Sequence, residues 1–171
     1  LSLTLAMAAD LIHEGIRAFT ESHVPIVAAV HGAVAGGGLG LMLTADYIVA
    51  SEGAKFVSRY ANIGLTPDLG VSTLLADAVG QRRALQLLLQ DRTLSAPEAL
   101  EWGLVAEVAA DPASRALEIA RFWLEGATGA FGQAKRLVRS GADRSLAENL
   151  ADEAGTIGAA SSTPNPKARI P

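Results

Sequence analysis

Apolar positions along this chain change period several times, and each change predicts an element. In residues 4–20, Leu5, Ala8, Leu11, Ile12, Ile16 and Phe19 fall near one stripe, the spacing of an amphipathic helix. His23-Val24-Pro25 ends it, because a residue before proline is pushed out of helical geometry. Ile26 to Val30 is then apolar without a break, which predicts a strand buried on both faces. Gly36, Gly37 and Gly38 make a turn, and Leu39, Leu41, Met42 and Leu43 resume at helical spacing until Asp46. Tyr47–Ala50 and Lys55–Ser58 read as short strands, and Gly64, Pro67 and Gly70 punctuate a loop after Tyr60.

Helical spacing returns near Ser72, is interrupted at Gly80, and resumes from Gln81 with Leu85, Leu88 and Leu89 on one face. SAPEALEWG carries its own boundaries: Ser95 as N-cap, Pro97 in the first turn, Glu98 three residues after the cap and Gly103 as terminator. Leu104–Val108 predicts another strand. Helices are expected over 112–125, 130–140 and 143–160, with an irregular tail containing three prolines. Strands and helices alternate through residues 1–110, so an α/β core with a mostly parallel sheet is expected there. Residues 111–171 form a helical region that packs on that core or on a neighbouring subunit.

Composition narrows the functional classes. The 171 residues suit a domain with a sizeable core; half are hydrophobic and 19% charged. A net charge of −4 and the lack of long basic runs argue against a nucleic-acid partner. No cysteine is present, which removes disulfides, thiol nucleophiles and thiolate metal sites. No apolar segment reaches the roughly 18 residues of a membrane span. A cytoplasmic setting is expected. The chain begins at Leu1 rather than Met and lacks a signal-peptide pattern, so the expectation is a piece of a longer protein.

Strand, glycine turn and helix start place free backbone N–H groups and a positive dipole end together, which suits an anion, standing or developing. AGGGLG is neither a dinucleotide fingerprint nor a phosphate loop, because the required later glycine and the Lys-Ser or Lys-Thr are missing. The glycines therefore either permit close helix–strand packing or supply an oxyanion donor. Asp68 in GLTPDLG is either a helix cap or turn residue, or a base or nucleophile among the apolar Leu65, Leu69 and Val71. His13, His23 and His31 do not have the spacing of a zinc site, and no metal is expected. His13 sits near the polar edge of the first helix, and His31 ends the first strand and is expected to bond to backbone there. A serine hydrolase lacks its GxSxG turn.

Three stretches in order, PIVAAVHGAVAGGGLGLMLTADYIVA, AKFVSRYANIGLTPDLG and VGQRRALQLLLQDRTLSAPEALEWGLVAEV, resemble the enoyl-CoA hydratase/isomerase (crotonase) family over about residues 5–160. The resemblance implies a ββα-spiral core, an acyl-CoA thioester as substrate with coenzyme A as its only cofactor-like part, and homotrimers or hexamers. It implies an oxyanion hole with one backbone donor at Gly37, flanked by Gly36 and Gly38. The second donor belongs to a loop upstream of the first helix, so an N-terminal portion is expected to be missing. The two glutamates of hydratases correspond to Gly40 and Tyr60, and the acid sits at Asp68. That pattern implies a double-bond or ring isomerase with one carboxylate, its substrate pocket including Gly40 and Leu65. A dehalogenase of the 4-chlorobenzoyl-CoA type is the alternative, with Asp68 as nucleophile, His13 activating water and Tyr60 positioning the aspartate. A catalytically silent acyl-CoA binder is a further one. Lys55, Lys167 and Arg169 are candidate contacts for coenzyme A phosphates.

Overall fold

A computed structural model describes residues 2–90 and 92–162, apart from the side chains of Ser2 and Leu5. The Leu5 side chain, Lys167, Arg169 and the three prolines of the tail therefore fall outside what is described. The described residues divide into two compact units, one of residues 2–20 and 26–119, the other of 21–25 and 120–162.

The first unit begins with α1 (Ser2–Glu21), β1 (Val27–Val30), β2 (Ala33–Ala35), α2 (Gly37–Leu43), β3 (Tyr47–Ser51) and β4 (Lys55–Val57). It continues through α3 (Val71–Val79), α4 (Gln81–Leu89), β5 (Thr93–Ser95), α5 (Ala96–Trp102) and β6 (Glu107–Ala109). The strands form two three-stranded sheets, β1-β3-β6 and β2-β4-β5, instead of one. The first is wholly parallel, whereas β4 and β5 run antiparallel. Sequence patterning misses β2 and β5 because each is three residues long and exists through its pairing with β4.

Several expectations need correction. β1 is half-buried with Ala29 exposed, because among the described residues it is an edge strand paired with β3 alone. The strand with a fully buried centre is β3, through Ile48, Val49 and Ala50. Asp46 ties β1 to β3: its carboxylate accepts from Ile26 N–H at 2.8 Å, and its own N–H donates to Ile26 O at 2.8 Å. On α1 the apolar stripe is largely uncovered. Ile16 is buried, while Leu11, Ile12 and Phe19 are exposed. On α4 the inward residues are Ala84 and Leu87, and Leu85 and Leu89 face outward. The strand expected from Leu104 starts at Glu107, because Leu104 and Val105 N–H both fold back onto Ala99 O at the end of α5. His31 is exposed.

The capping prediction for α5 is met in full. Ser95 Oγ accepts from Glu98 N–H, Glu98 accepts from Ser95 N–H at 2.8 Å, and Gly103 closes the helix at φ 78°. These hydrogen bonds hold the Glu98 carboxyl down at about 2, with Arg92 contributing. Phe56, Leu39, Leu75, Leu87, Leu94 and Leu104 form the fully buried centre of the unit. Each such side chain contributes roughly 1.5–3 kcal/mol relative to exposure.

The second unit holds the end of α6 (Pro112–Glu125), α7 (Thr128–Gly141) and α8 (Leu146–Ser161). A second capping box, Ser145 with Glu148, starts α8. Arg136 makes a two-point contact with Asp152, and Arg144 adds to it, joining α7 to α8. α7 also grips residues 21–25. Lys135 Nζ donates to Val24 O at 3.0 Å, and Gly132 lies so close to the His23 carbonyl that no β-carbon fits. Among the described residues no helix is long and apolar enough to cross a membrane.

Candidate active site

β2 and β4 run parallel, pairing Val34 with Phe56 and Ala35 with Val57, so the segments that follow them leave the sheet at one edge. Ligands of α/β proteins gather at such carboxyl ends. Gly36 continues the ladder by one residue, its N–H donating to Val57 O at 3.3 Å and Ser58 O at 3.1 Å. It does so at φ 53° and ψ −124°, a backbone conformation suited to glycine. Its amide is thereby committed to the frame. In the first turn of α2, Leu39 N–H returns to Gly36 O at 2.9 Å. The Gly37 and Gly38 amides precede it, where a helix has no carbonyl of its own to offer.

The loop after β4 brings the acid to this turn. Tyr60 is buried and its hydroxyl donates to Asp68 Oδ1 at 2.5 Å. A phenol–carboxylate bond of that length is charge-assisted. A 3-10 turn over Ala61–Ile63 closes with Gly64 at φ 72°, and Leu65 N–H returns to Tyr60 O at 3.0 Å. Leu69 and Gly70 then take φ of 51° and 77° in succession, and Val71 N–H donates to Asp68 O. Asp68 is not the side-chain cap of α3. Gly70 holds that position without a side-chain bond.

Asp68 and the glycine turn meet closely. A β-carbon placed on Gly37 would lie 3.9 Å from Asp68 Oδ1 and 2.5 Å from Leu69 Cδ1. One on Gly36 would lie 3.9 Å from the Tyr60 ring. Gly40, one turn further into α2, packs under the Leu69 backbone: a β-carbon there would stand 2.7 Å from Leu69 Cβ and overlap its carbonyl oxygen. Across the loop, His13 on α1 accepts from Leu69 N–H at 3.1 Å through Nε2. Gly37, Tyr60, Asp68 and His13 thus converge on one place from three segments, α1, the start of α2 and the loop after β4. Leu65 contributes a backbone bond, but its side chain is 43% exposed. Lys55 is exposed on β4.

The residue that sequence reasoning leaves as a mere neighbour is Leu69. Its side chain roofs Gly37, its carbonyl covers Gly40 and its amide reaches His13. Gly40 is the signal that points to it. Glycine inside a helix costs about 1 kcal/mol against alanine, so a close backbone approach is a reason for it.

Burial, and next the bond to Asp68, push the Tyr60 phenol well above its ordinary value, so it stays a neutral donor at physiological pH. Asp68 Oδ2 has no protein donor among the described residues. The arrangement is a carboxylate with one oxygen anchored and one available, beside amides that can meet a second charge. No group of three or more His, Asp or Glu among the described residues could hold a metal ion.

Comparison with known proteins places this geometry among its kin. A family model described as enoyl-CoA hydratase/isomerase matches residues 5–167. Over 136 residues the chain is 38% identical to 4-chlorobenzoyl coenzyme A dehalogenase-1 from Arthrobacter sp, covering 78% of this chain and 49% of that protein. Over 137 residues it is 34% identical to 1,2-epoxyphenylacetyl-CoA isomerase from Escherichia coli K12, covering 79% and 52%. The crystal structure of an enoyl-CoA hydratase/isomerase from Cupriavidus metallidurans CH34 superposes with a TM-score of 0.90 at 36% identity, over 97% of this chain and 63% of that one. The chain spans about half the length of the curated relatives it matches.

Proposed function

The chain belongs to the enoyl-CoA hydratase/isomerase family and has the α/β crotonase fold, and we propose that its site isomerises an acyl-CoA thioester by moving one proton with Asp68. The observation that carries this reading is the Asp68 carboxylate, bonded to Tyr60 through Oδ1 and set beside Gly37. Asp68 Oδ2 takes a proton from a carbon activated by the thioester. The C–H pair moves into the carbonyl, and the resulting enolate oxygen is met by Gly37 N–H. Asp68 then returns the proton to another carbon, so the double bond or ring is relocated with no net loss of atoms. A positioned base contributes about 10²–10⁴ in rate. One oxyanion donor contributes on the order of 3 kcal/mol.

One feature favours isomerisation over hydration. The positions that the family resemblance assigns to hydratase glutamates are Gly40 and Tyr60, and a longer side chain at 40 would collide with Leu69. Both relatives named above carry coenzyme A thioesters in their names, which supports the substrate class. Assembly into a homotrimer or hexamer belongs to the same proposal. Exposed Leu146, Leu150 and Ile157 on α8 are compatible with it, and sedimentation velocity tests it.

Asp68→Asn in the full-length protein tests the isomerase. Loss of turnover with acyl-CoA binding retained supports it, whereas full turnover refutes it. The 38% identity to the dehalogenase favours one second reading, an Asp68 nucleophile that forms an aryl ester. Single-turnover reaction of a haloaryl-CoA in ¹⁸O water tests that route, and absence of label in Asp68 eliminates it.

A further inference from the structure

The bond from Leu69 N–H to His13 Nε2, 3.1 Å long, has no part in the proton transfer just described. It nevertheless holds the residue on which the site's geometry turns. Leu69 is one of two non-glycine residues with positive φ among those described, the other being Arg59. L-residues enter that region only when surroundings hold them there. Three contacts hold Leu69: its carbonyl against Gly40, its side chain against Gly37, and its amide against the imidazole. The first two are packing contacts that resist approach. The third is directional and fixes the rotation of the Asp68–Leu69 peptide.

An imidazole nitrogen accepts a hydrogen bond only when it carries no proton. His13 is therefore neutral, with its hydrogen on Nδ1. We propose that His13 is a positioning residue: through Nε2 it fixes the Leu69 amide, and with it the Asp68 carboxylate, over the Gly37 turn. Its Nε2 lone pair is engaged in that bond and so is not the base that activates water. This inference rests on Asp68 being the reacting carboxylate.

The test uses the full-length protein, first unmodified and labelled with ¹⁵N in its imidazoles. The His13 shifts are expected to show a protonated Nδ1 and a bare Nε2, the reverse of the tautomer favoured by a free histidine side chain. The Leu69 amide is expected to exchange slowly with solvent. His13→Gln places Oε1 where it can accept the same bond, whereas His13→Leu offers no acceptor. His13→Gln should keep the amide protected and kcat within about threefold. His13→Leu should speed exchange of that amide about tenfold or more and lower kcat by a similar factor, with KM little changed.

A protonated Nε2, or a Leu69 amide equally labile in all three proteins, overturns the proposal. So does a His13→Gln protein as inactive as His13→Leu, because that marks the imidazole as a proton carrier. If His13→Leu does not fold, the tautomer in the unmodified protein decides alone. Asp68→Asn separates the two readings. Full turnover in that variant removes the isomerase, while the imidazole–amide bond read by NMR stands; an inactive variant beside a protonated Nε2 removes only the role of His13.

Discussion

Gly15 in α1 and Gly40 in α2 both lie inside helices, and alanine at each should move stability in opposite directions. Helix propensity alone predicts a gain of about 1 kcal/mol at both. At Gly15 nothing lies within 4 Å of an added β-carbon, so the gain should be realised. At Gly40 the added carbon would overlap the Leu69 carbonyl and stand 2.7 Å from Leu69 Cβ. Those atoms are the main chain and Cβ of Leu69, whose preceding peptide is held by Val71 N–H on Asp68 O and by His13 on Leu69 N–H, so the strain cannot be relieved by turning a flexible side chain. Overpacking of that kind costs about 3 kcal/mol, the upper end of the usual range, which leaves Gly40→Ala destabilised by about 2 kcal/mol. The two variants then differ by about 3 kcal/mol, or roughly 6–12 °C in melting temperature for a chain of this size. Urea midpoints and melting curves of both, with the intact protein alongside, measure this. Equal shifts at the two positions would refute the close approach of Leu69, and with it the steric argument against a glutamate at 40.

Removing the Tyr60 hydroxyl as Tyr60→Phe leaves Asp68 Oδ1 without its donor, and should cost about 1.5–3 kcal/mol in stability, read by urea unfolding. The phenol of Tyr60 is raised in the folded state, so folded protein binds a proton that unfolded protein has lost above pH 10. That contribution is complete below pH 10 and falls as pH rises further; in a Tyr47→Phe background, absorbance at 295 nm should show little phenolate at pH 10 until the chain unfolds. For Glu98 the sign is opposite. Its carboxyl is lowered to about 2 from 4.5, so the stability it adds is complete above 4.5 and is lost as pH falls toward 2. Glu98→Gln should flatten that part of the acid unfolding curve. Ser95→Ala should cost about 1 kcal/mol by removing the N-cap acceptor of α5, measured by thermal unfolding.

What sequence reasoning reaches here depends on whether an interaction leaves a mark on residue type. The α5 cap is legible because both of its hydrogen bonds need particular side chains, serine and glutamate. β1, β3 and β4 are legible as apolar runs, although β1 proves half-covered because burial depends on how many neighbours a strand acquires. β2 and β5 leave little mark, since Ala33–Ala35 and Thr93–Ser95 become strands by pairing with β4. At the site, Gly37, Tyr60 and Asp68 are recognisable by type and order. The bond from Leu69 to His13 is not, because its donor is a main-chain amide that almost any residue would supply. Only the acceptor, and the glycine at 40 beneath the same peptide, show in the sequence.

The same contacts bear on which kind of anion the glycine turn suits. From sequence alone, Gly36–Gly38 could hold a phosphate or a developing oxyanion. A standing anion at Gly37 would face the Asp68 carboxylate, whose Oδ1 lies 3.9 Å from where a β-carbon on Gly37 would be. Two unit charges about 5 Å apart repel by roughly 3 kcal/mol at an effective dielectric near 20. Proton transfer within the site avoids that penalty. In the proposed isomerisation Asp68 becomes neutral as it takes the substrate proton and the thioester oxygen becomes negative, so the charge would move from carboxylate to oxyanion with its total constant. Tyr60 strengthens the point, because a phenol held neutral can go on donating to either form of the acid. A carboxylate this close to the amides is a liability for binding phosphate and an asset for making an enolate, and the geometry favours the second use.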